Sequence, residues 1–192
     1  MKIIIGISGA SGAIYGVELL KALRTLKVET HLMVSKTAQI TLAHETPYSL
    51  AEVQKLASHF HKNDDLAACT SSGSHKTAGM IIAPCSMRSL AEIATGVTSN
   101  LLTRSADVCL KERRKLVLMV RETPLHSIHL RNMLTLADMG AIIAPPVPAF
   151  YSNPKSLDEM VKHTVARVLD MFDLDTKEIK RWQGLSAKKT RI

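Results

Sequence analysis

The sequence predicts a doubly wound α/β fold, in which helices cover both faces of a parallel sheet to make three layers. Short runs of β-branched residues alternate along the chain with amphipathic stretches that have helical spacing. Strands separated by helices favour parallel pairing through right-handed crossovers. The chain has 192 residues, 46% of them hydrophobic, so we expect one domain over residues 1–180 and a C-terminal tail over residues 181–192.

The first half of the chain begins with a buried strand over residues 3–7, Ile-Ile-Ile-Gly-Ile. Ser11 is predicted to cap the helix that follows and ends near Leu26. Ser49 and Glu52 form a capping box, which predicts the start of another helix. The other elements predicted in this half are a second strand over residues 28–34, a short helix over 36–44, the capped helix over 49–60 and a polar loop over 62–76.

The second half of the chain continues the alternation. Ser89 with Glu92 forms another capping box, Gly140 is predicted to end a helix, and Ser156 opens the last helix, whose apolar stripe reaches Phe172. Three further strands are predicted over residues 79–83, 116–120 and 141–144, which makes five in all. Helices are predicted between and after them, over residues 86–95, 100–113, 127–139 and 156–172.

The net charge of +8 is concentrated in two places, residues 111–115 and the tail residues Lys188, Lys189 and Arg191. Nucleic-acid binding is disfavoured because the basic run has no interleaved aromatic residues. Anionic small ligands account for part of the excess charge, and solubility for the rest. The mean hydropathy of +0.07 indicates more apolar surface than one core needs, so we expect a homo-oligomer.

Cysteine and histidine usage favours a reducing cytoplasm and no metal site. Cys69, Cys85 and Cys109 are odd in number and form no CxxC motif. Cys85 fits a buried small residue better than a nucleophile. His126 and His129 share a helix face without an evident third ligand, so we interpret them as capping or packing residues.

No apolar run reaches the ~20 residues that a membrane span requires. Residues 1–7 lead directly into a glycine loop, which indicates a first strand rather than a signal peptide.

Polar and glycine-rich segments follow each predicted strand, where ligands bind in sheets of this class. Taken singly each is weak, since a glycine turn or a serine cap is common. The first is not a GxGxxG, which disfavours a nicotinamide dinucleotide. Together they have the composition of a site for a phosphate and a ring system. These segments are residues 8–12, 35–36, 84–89, 121–124, and 145–146 with 150–151.

Several charged and aromatic residues allow two interpretations each. Arg121 and Glu122 form a surface ion pair or, if they are buried at the sheet edge, an anion holder and a proton shuttle. Arg104 and Lys111 are seven residues apart and can share a helix face, either as solvated charges or as anion ligands. Tyr151 and Trp182, both scarce aromatics, either pack in a core or subunit contact or contact a ligand.

The same segments resemble the UbiX/Pad1 family of flavin prenyltransferases, in order and over nearly the whole chain. The resemblance lies in residues 6–13, 35–36, 43–46, 84–86, 100–114, 121–122, 128–133, 150–151 and 181–182. It implies a Rossmann-like flavoprotein that joins a dimethylallyl group from dimethylallyl monophosphate to N5 and C6 of reduced FMN. It further implies that prenylated FMN serves a UbiD-type decarboxylase, that no metal is needed and that the protein is a dodecamer. Older labels for such proteins are aromatic acid decarboxylases.

By position, the resemblance also implies roles for individual residues. Those implied to bind FMN are Gly9, Ala10, Ser11, Ser35, Ser86, Met87, Arg88, Ser89 and Arg121. Those implied to bind the prenyl phosphate, with an aromatic residue near the prenyl pocket, are Arg104, Lys111, Tyr151, Arg167 and Trp182. Those implied to be catalytic are Glu122, Lys111, Glu45 and Ser11, with Glu45 expected to come from a neighbouring subunit.

Two alternatives remain open at this point. One is an FMN-dependent decarboxylase of the phosphopantothenoylcysteine type, which would share the fold and the flavin. The other is a module that binds a flavin or nucleic acid without catalysis. Arg104, Lys111 and the Arg121–Glu122 pair favour the prenyltransferase, because they suit an additional phosphate.

Overall fold

The structure, a computed structural model, describes residues 1–177, 179, 181, 182 and 184. Packing divides it into two compact units, Met1–Pro146 and a second unit that starts at Val147. The predicted division at residue 180 stays a prediction. The basic tail residues Lys188, Lys189 and Arg191 lie outside the described residues.

The first unit contains a parallel sheet with the strand order β3-β2-β1-β4-β5-β6. The order reverses between β1 and β4, and such a reversal opens a crevice at the carboxyl ends of the strands. This sheet confirms the predicted doubly wound class. Its strands are β1 (Lys2–Ile7), β2 (Glu29–Val34), β3 (His59–His61), β4 (Gly79–Cys85), β5 (Lys115–Val120) and β6 (Ile142–Ile143).

Helices form the outer layers of the first unit. They are α1 (Ala13–Thr25), α2 (Lys36–Glu45), α3 (Leu50–Leu56), α4 (Met87–Ala94), α5 (Leu101–Lys111) and α6 (Ser127–Asp138). Helix α1 packs with α2 and α3, whereas α4 packs with α5 and α6. The central strands are buried along their length because helices cover both faces.

The second unit contains helix α7 (Leu157–Asp170), whose N-cap Ser156 accepts a hydrogen bond from the Glu159 amide at 3.2 Å. This confirms the predicted start of the last helix. Among the residues that the structure describes, no helix is both long and apolar enough to cross a bilayer.

Strand β3 is the element that the sequence reading missed. The helix predicted through Phe60 ends at Leu56, and His59–His61 pairs in parallel with residues 31–33 of β2. The strand has only three residues and no β-branched side chain, which is too short for an alternating pattern to signal it. Its pairing with β2 decides its conformation, and the sheet therefore has six strands rather than five.

The helix starts are partly as predicted. The Ser49 capping box is confirmed, since the Ser49 hydroxyl accepts from the Glu52 amide at 3.3 Å and the Glu52 carboxylate accepts from the Ser49 amide at 2.8 Å. His126 caps α6, its ring nitrogen accepting from the Ile128 amide at 3.2 Å, as the capping interpretation expects.

Two predicted caps are wrong. Helix α1 starts from Gly12 rather than Ser11, because the N-cap backbone has φ +103°, a left-handed conformation that favours glycine. Ser86, not Ser89, is the N-cap of α4. Glu92 therefore closes no capping box there, and its carboxylate instead accepts from Arg88 Nε at 2.8 Å.

Candidate functional site

A cavity of about 740 Å³ lies at the carboxyl edge of β1, β2 and β4. It is bounded by the loops that follow these three strands and by the polar segment before η1, a 3-10 turn at Cys69–Ser71. The structure thus brings together segments that are distant in sequence. The predicted FMN residues that line this cavity are Gly9, Ser35, Ser86, Arg88 and Ser89.

The loop after β1 is held close to α2. A Cβ atom added at Gly9 would lie 2.5 Å from Thr37 Cβ, so no side chain fits there without movement. At the other end of the helix, Glu45 Oε2 accepts a hydrogen bond from the Gly12 amide at 2.7 Å. The loop is therefore fixed at both ends of α2, and Ser11, which precedes Gly12, is exposed.

Two helix N-termini face this edge of the sheet. Ser35 Oγ accepts from the Ala38 amide at 3.1 Å at the start of α2, and Ser86 Oγ accepts from the Ser89 amide at 3.2 Å at the start of α4. The first amides of a helix have no partner within it, and the helix dipole adds partial positive charge there. This edge of the cavity therefore suits an anion such as a phosphate.

The loop after β4 is fixed by a buried serine. Ser8 Oγ accepts from the Ser86 amide at 2.7 Å and donates to the Pro84 carbonyl at 2.8 Å. The neighbouring Cys85 is fully buried, and burial raises the pKa of its thiol to about 12. The thiol is part of the hydrophobic core, as the interpretation of Cys85 as a buried small residue expects.

Arg121 and Glu122 leave β5 beside this loop, because the Arg121 amide donates to the Cys85 carbonyl at 3.1 Å. Arg121 Nε is buried and makes no hydrogen bond to a described residue. Glu122 is exposed, and its Oε1 accepts from the Thr123 amide at 3.0 Å. The partly buried guanidinium of Arg121, with its Nε unused, is suited to binding an anion. The exposed carboxyl of Glu122 is suited to proton transfer.

The other predicted FMN residues do not line the cavity. Ala10 is buried in the loop after β1, and Met87 packs against the core between the sheet and helices α4–α6. Their predicted contacts with the flavin, like that of Ser11, stay predictions.

Arg104 and Lys111 lie on α5 away from the cavity lining. Arg104 Nε donates to the Ser71 carbonyl at 3.2 Å, and its terminal nitrogen donates to Asp107 at 2.7 Å. Lys111 occupies the last turn of α5 and pairs with Glu112 at 2.5 Å. Since β5 starts four residues after Lys111, this amine lies at the amino edge of the sheet, opposite the cavity.

The remaining predicted residues belong to the second unit. Tyr151 and Trp182 are in edge-to-face contact, with ring centroids 5.7 Å apart. Arg167 donates to Asp170 at 2.6 Å, and Arg181 binds the same carboxylate at 2.8 Å. The Arg181 guanidinium holds the pKa of Asp170 below its ordinary value.

Sequence reasoning missed several residues that line the cavity, including Thr37, Asn63 and Asn100. At the start of α5, the carbonyl of Asn63 accepts a hydrogen bond from the Leu101 amide at 2.8 Å, and its Oδ1 accepts one from the Leu102 amide at 3.0 Å. A lone asparagine in a polar loop has no pattern that distinguishes it from its neighbours. Asn100 precedes a helix as an N-cap, a position that the sequence does indicate.

Comparison with known proteins identifies the family and the fold. Residues 1–169 match the family model described as Flavoprotein. A probable UbiX-like flavin prenyltransferase of Bacillus subtilis strain 168 is 57% identical over 189 residues, 98% of this chain and 93% of that protein. The chain belongs to the UbiX flavin prenyltransferase family.

Solved structures of UbiX-like proteins have the same architecture. AnUbiX (PadA1) in complex with FMN and dimethylallyl pyrophosphate superposes with a TM-score of 0.95 at 50% identity, covering 96% of this chain and 98% of that one. A dodecameric FMN-dependent UbiX-like decarboxylase from Escherichia coli O157:H7 gives 0.94 at 54% identity, covering 96% and 100%. Both the family and the Rossmann-like flavoprotein class inferred from the sequence are confirmed.

Proposed function

We propose that this chain is a flavin prenyltransferase, which moves a dimethylallyl group from dimethylallyl monophosphate to reduced FMN. The observation that carries the proposal is the cavity at the carboxyl edge, where Gly9, Ser35 and Ser86 from three separate strand ends meet. Family membership supports the same reaction, since the curated relatives are named for it.

The FMN phosphate suits the helix N-termini of α2 and α4, where Ser35 and Ser86 already satisfy one amide each. Arg88 lies at this edge with 83% of its side chain exposed, so it can turn from Glu92 towards an added phosphate. A side chain at Gly9 would clash with Thr37 and displace the loop after β1. Glycine therefore keeps this loop where the flavin can reach it. We propose Ala10, Ser11, Met87, Ser89 and Arg121 as the further FMN contacts.

Transfer breaks the allylic C–O bond of the donor, which leaves negative charge on the phosphate and cationic character on the prenyl carbon. We propose that Arg121 holds the developing phosphate charge and that Glu122 supplies the proton to the leaving phosphate. The aromatic rings of Tyr151 and Trp182, which touch each other, are suited to a prenyl cation. Ser11 and Glu45 adjoin the loop after β1 and are proposed to act there.

The donor phosphate needs further cations, for which we propose Arg104, Lys111 and Arg167. Because Lys111 lies at the amino edge, we propose that it serves the cavity of a neighbouring copy. Exposed apolar residues on α6, including Ile128, Leu130 and Leu134, offer a surface for such contacts. A homo-oligomer, proposed as a dodecamer like the related E. coli O157:H7 protein, follows from this arrangement.

The product, prenylated FMN, is proposed to pass to a UbiD-type decarboxylase. We propose the cytoplasm as the compartment, supported by the three free cysteines of the chain.

Mass spectrometry of the flavin tests the reaction directly. The protein is incubated without oxygen with reduced FMN and dimethylallyl monophosphate, and in a parallel arm with dimethylallyl pyrophosphate. We expect the flavin to gain the mass of one C5 unit in the monophosphate arm. Bound FMN that gains no mass in either arm would overturn the prenyltransferase and favour the phosphopantothenoylcysteine-type decarboxylase. A gain only in the pyrophosphate arm would show that the donor is dimethylallyl pyrophosphate rather than the monophosphate.

A further inference from the structure

Four histidines gather on β2, on β3 and in the loop before β4, all in the first unit and outside the cavity lining. The His31 ring stacks on those of His59 and His61, with centroids 4.7 and 5.2 Å apart, and meets His75 edge-on at 4.9 Å. The register explains the contact, since His31 pairs with His59 and Met33 pairs with His61. Imidazole rings seldom pack together in this way, because each ring has polar nitrogens that need hydrogen-bond partners when they are buried.

His31 is at the centre of the cluster and is only 3% exposed. Its Nδ1 lies 2.9 Å from His61 Nε2 and 4.0 Å from the Sγ of Cys69 in the η1 turn. Its Nε2 is buried and makes no hydrogen bond to a described residue. His31 Nδ1 and these two atoms come from two strands and a turn, and all three are soft or borderline metal ligands.

We propose that His31 Nδ1, His61 Nε2 and Cys69 Sγ bind one divalent transition-metal ion of the zinc class. The three ligand atoms lie within 4.8 Å of one another. Tetrahedral zinc with bonds of 2.0–2.3 Å needs ligand atoms about 3.3–3.6 Å apart. Small side-chain rotations would therefore suffice, moving His61 outwards and Cys69 inwards, and a water would complete the fourth position.

The other nitrogen of His31 supports this choice of ligands. Glu29 Oε1 lies 3.4 Å from His31 Nε2. When a metal occupies Nδ1, Nε2 carries the ring proton and faces this carboxylate. Metal-binding histidines commonly donate their second N–H to a carboxylate, which orients the ring and makes the ligand nitrogen more basic.

Access from solvent also favours metal binding. Cys69 is exposed, so an ion can reach the thiol from solvent, whereas Cys85 and Cys109 are buried.

A second set of ligand atoms, from Glu29, His31 and His59, also falls within 4.8 Å. It lacks the thiol, and Glu29 is already shared between Lys2 at 3.4 Å and His59 at 3.3 Å. The Nδ1 set does not need Glu29 as a metal ligand, so this carboxylate can accept from His31 Nε2 and both ring nitrogens are accounted for. The choice between the two sets is testable, because His59 belongs to only one of them.

Titration of the full-length protein with Zn²⁺ by calorimetry, and with Co²⁺ by absorption, tests the site. We expect one ion per chain and, for Co²⁺, a thiolate charge-transfer band with the ligand-field bands of a tetrahedral ion. Cys69→Ser should abolish the charge-transfer band and weaken Zn²⁺ binding at least 100-fold. His61→Gln should weaken binding comparably, and Glu29→Gln about 10-fold.

His59→Gln is the matched control, since it removes an imidazole that stacks on His31 without removing a proposed ligand. It should change the Zn²⁺ affinity less than about 3-fold, and FMN binding by every variant shows that it is folded. Equal loss in His59→Gln and Cys69→Ser, unchanged affinity in Cys69→Ser, or no binding of either ion at micromolar concentration would overturn the proposal. The proposal does not depend on the prenyltransferase reaction, because none of its ligands lines the cavity.

Discussion

The cavity and the histidine cluster are built on different principles. At the cavity, Ser35 and Ser86 use their side chains to cap their own helices, which leaves backbone amides for a ligand. In the cluster, the contact is between side chains, with His31 Nδ1 2.9 Å from His61 Nε2. A site made from backbone follows the local sequence, whereas a site made from side chains on paired strands depends on register.

His31, at the centre of the cluster, precedes Ser35 by four residues, about 13 Å along β2. His61 lies closer, because its neighbours Phe60 and Lys62 line the cavity. None of the three proposed metal ligands lines the cavity itself, so we expect changes in the cluster to leave FMN binding nearly unaffected. The following predictions test this independence.

The largest effect is expected from Glu122→Gln at the carboxyl edge. Removing the proposed proton donor should lower turnover at least about 100-fold with FMN affinity retained, because the carboxyl lies after β5 and does not line the cavity. Flavin mass spectrometry measures turnover, and Glu52→Gln, in the capping box of α3, is the control. Full activity of Glu122→Gln would remove its acid–base role.

Gly9→Ala should weaken FMN binding about 10-fold or more, because the new methyl would lie 2.5 Å from Thr37 Cβ and displace the loop after β1. Fluorescence titration with FMN measures the effect. Gly96→Ala is the comparison: its φ of +72° makes alanine cost about 1 kcal/mol of stability, but the surrounding space is open. If both variants bound FMN alike, the tight contact at Gly9 would be irrelevant to the site.

Ser35→Ala should cost about 1 kcal/mol of unfolding free energy through loss of the α2 cap, and should also weaken FMN binding several-fold. Ser49→Ala removes the α3 cap at a similar cost in stability, but Ser49 does not line the cavity. Urea unfolding and FMN titration of both variants separate the cap from the binding contact. Equal FMN affinity in the two would limit Ser35 to capping.

The smallest effect is expected from metal chelation. Treatment with a chelator should change turnover and FMN affinity less than about twofold, because none of the three proposed metal ligands lines the cavity. The thermal melting temperature is expected to fall when bound zinc is removed, since a ligand that binds only the folded state stabilises it. A loss of turnover on chelation would contradict the independence of the cavity and the cluster.

The sequence by itself determined the alternation of strands and helices, and with it the parallel sheet. It also indicated the segments after the strands that form the cavity, because Gly9, Ser35 and Ser86 follow buried apolar runs directly. These inferences succeed because a strand end, a glycine turn and a serine cap are local features. The resemblance to the UbiX/Pad1 family added the flavin and the reaction, which no local pattern specifies.

Only the tertiary structure decided which residues face one another across distance. Strand β3 forms because it pairs with β2. The sequence predicted a helix through Phe60, and a helix would not place His59 and His61 on one face as the strand does. The same pairing brings His31 to His61, and the η1 turn adds Cys69 from a segment that looked like a plain polar loop. Contacts set by strand register and loop closure depend on the whole sheet, so a single sequence read locally does not contain them.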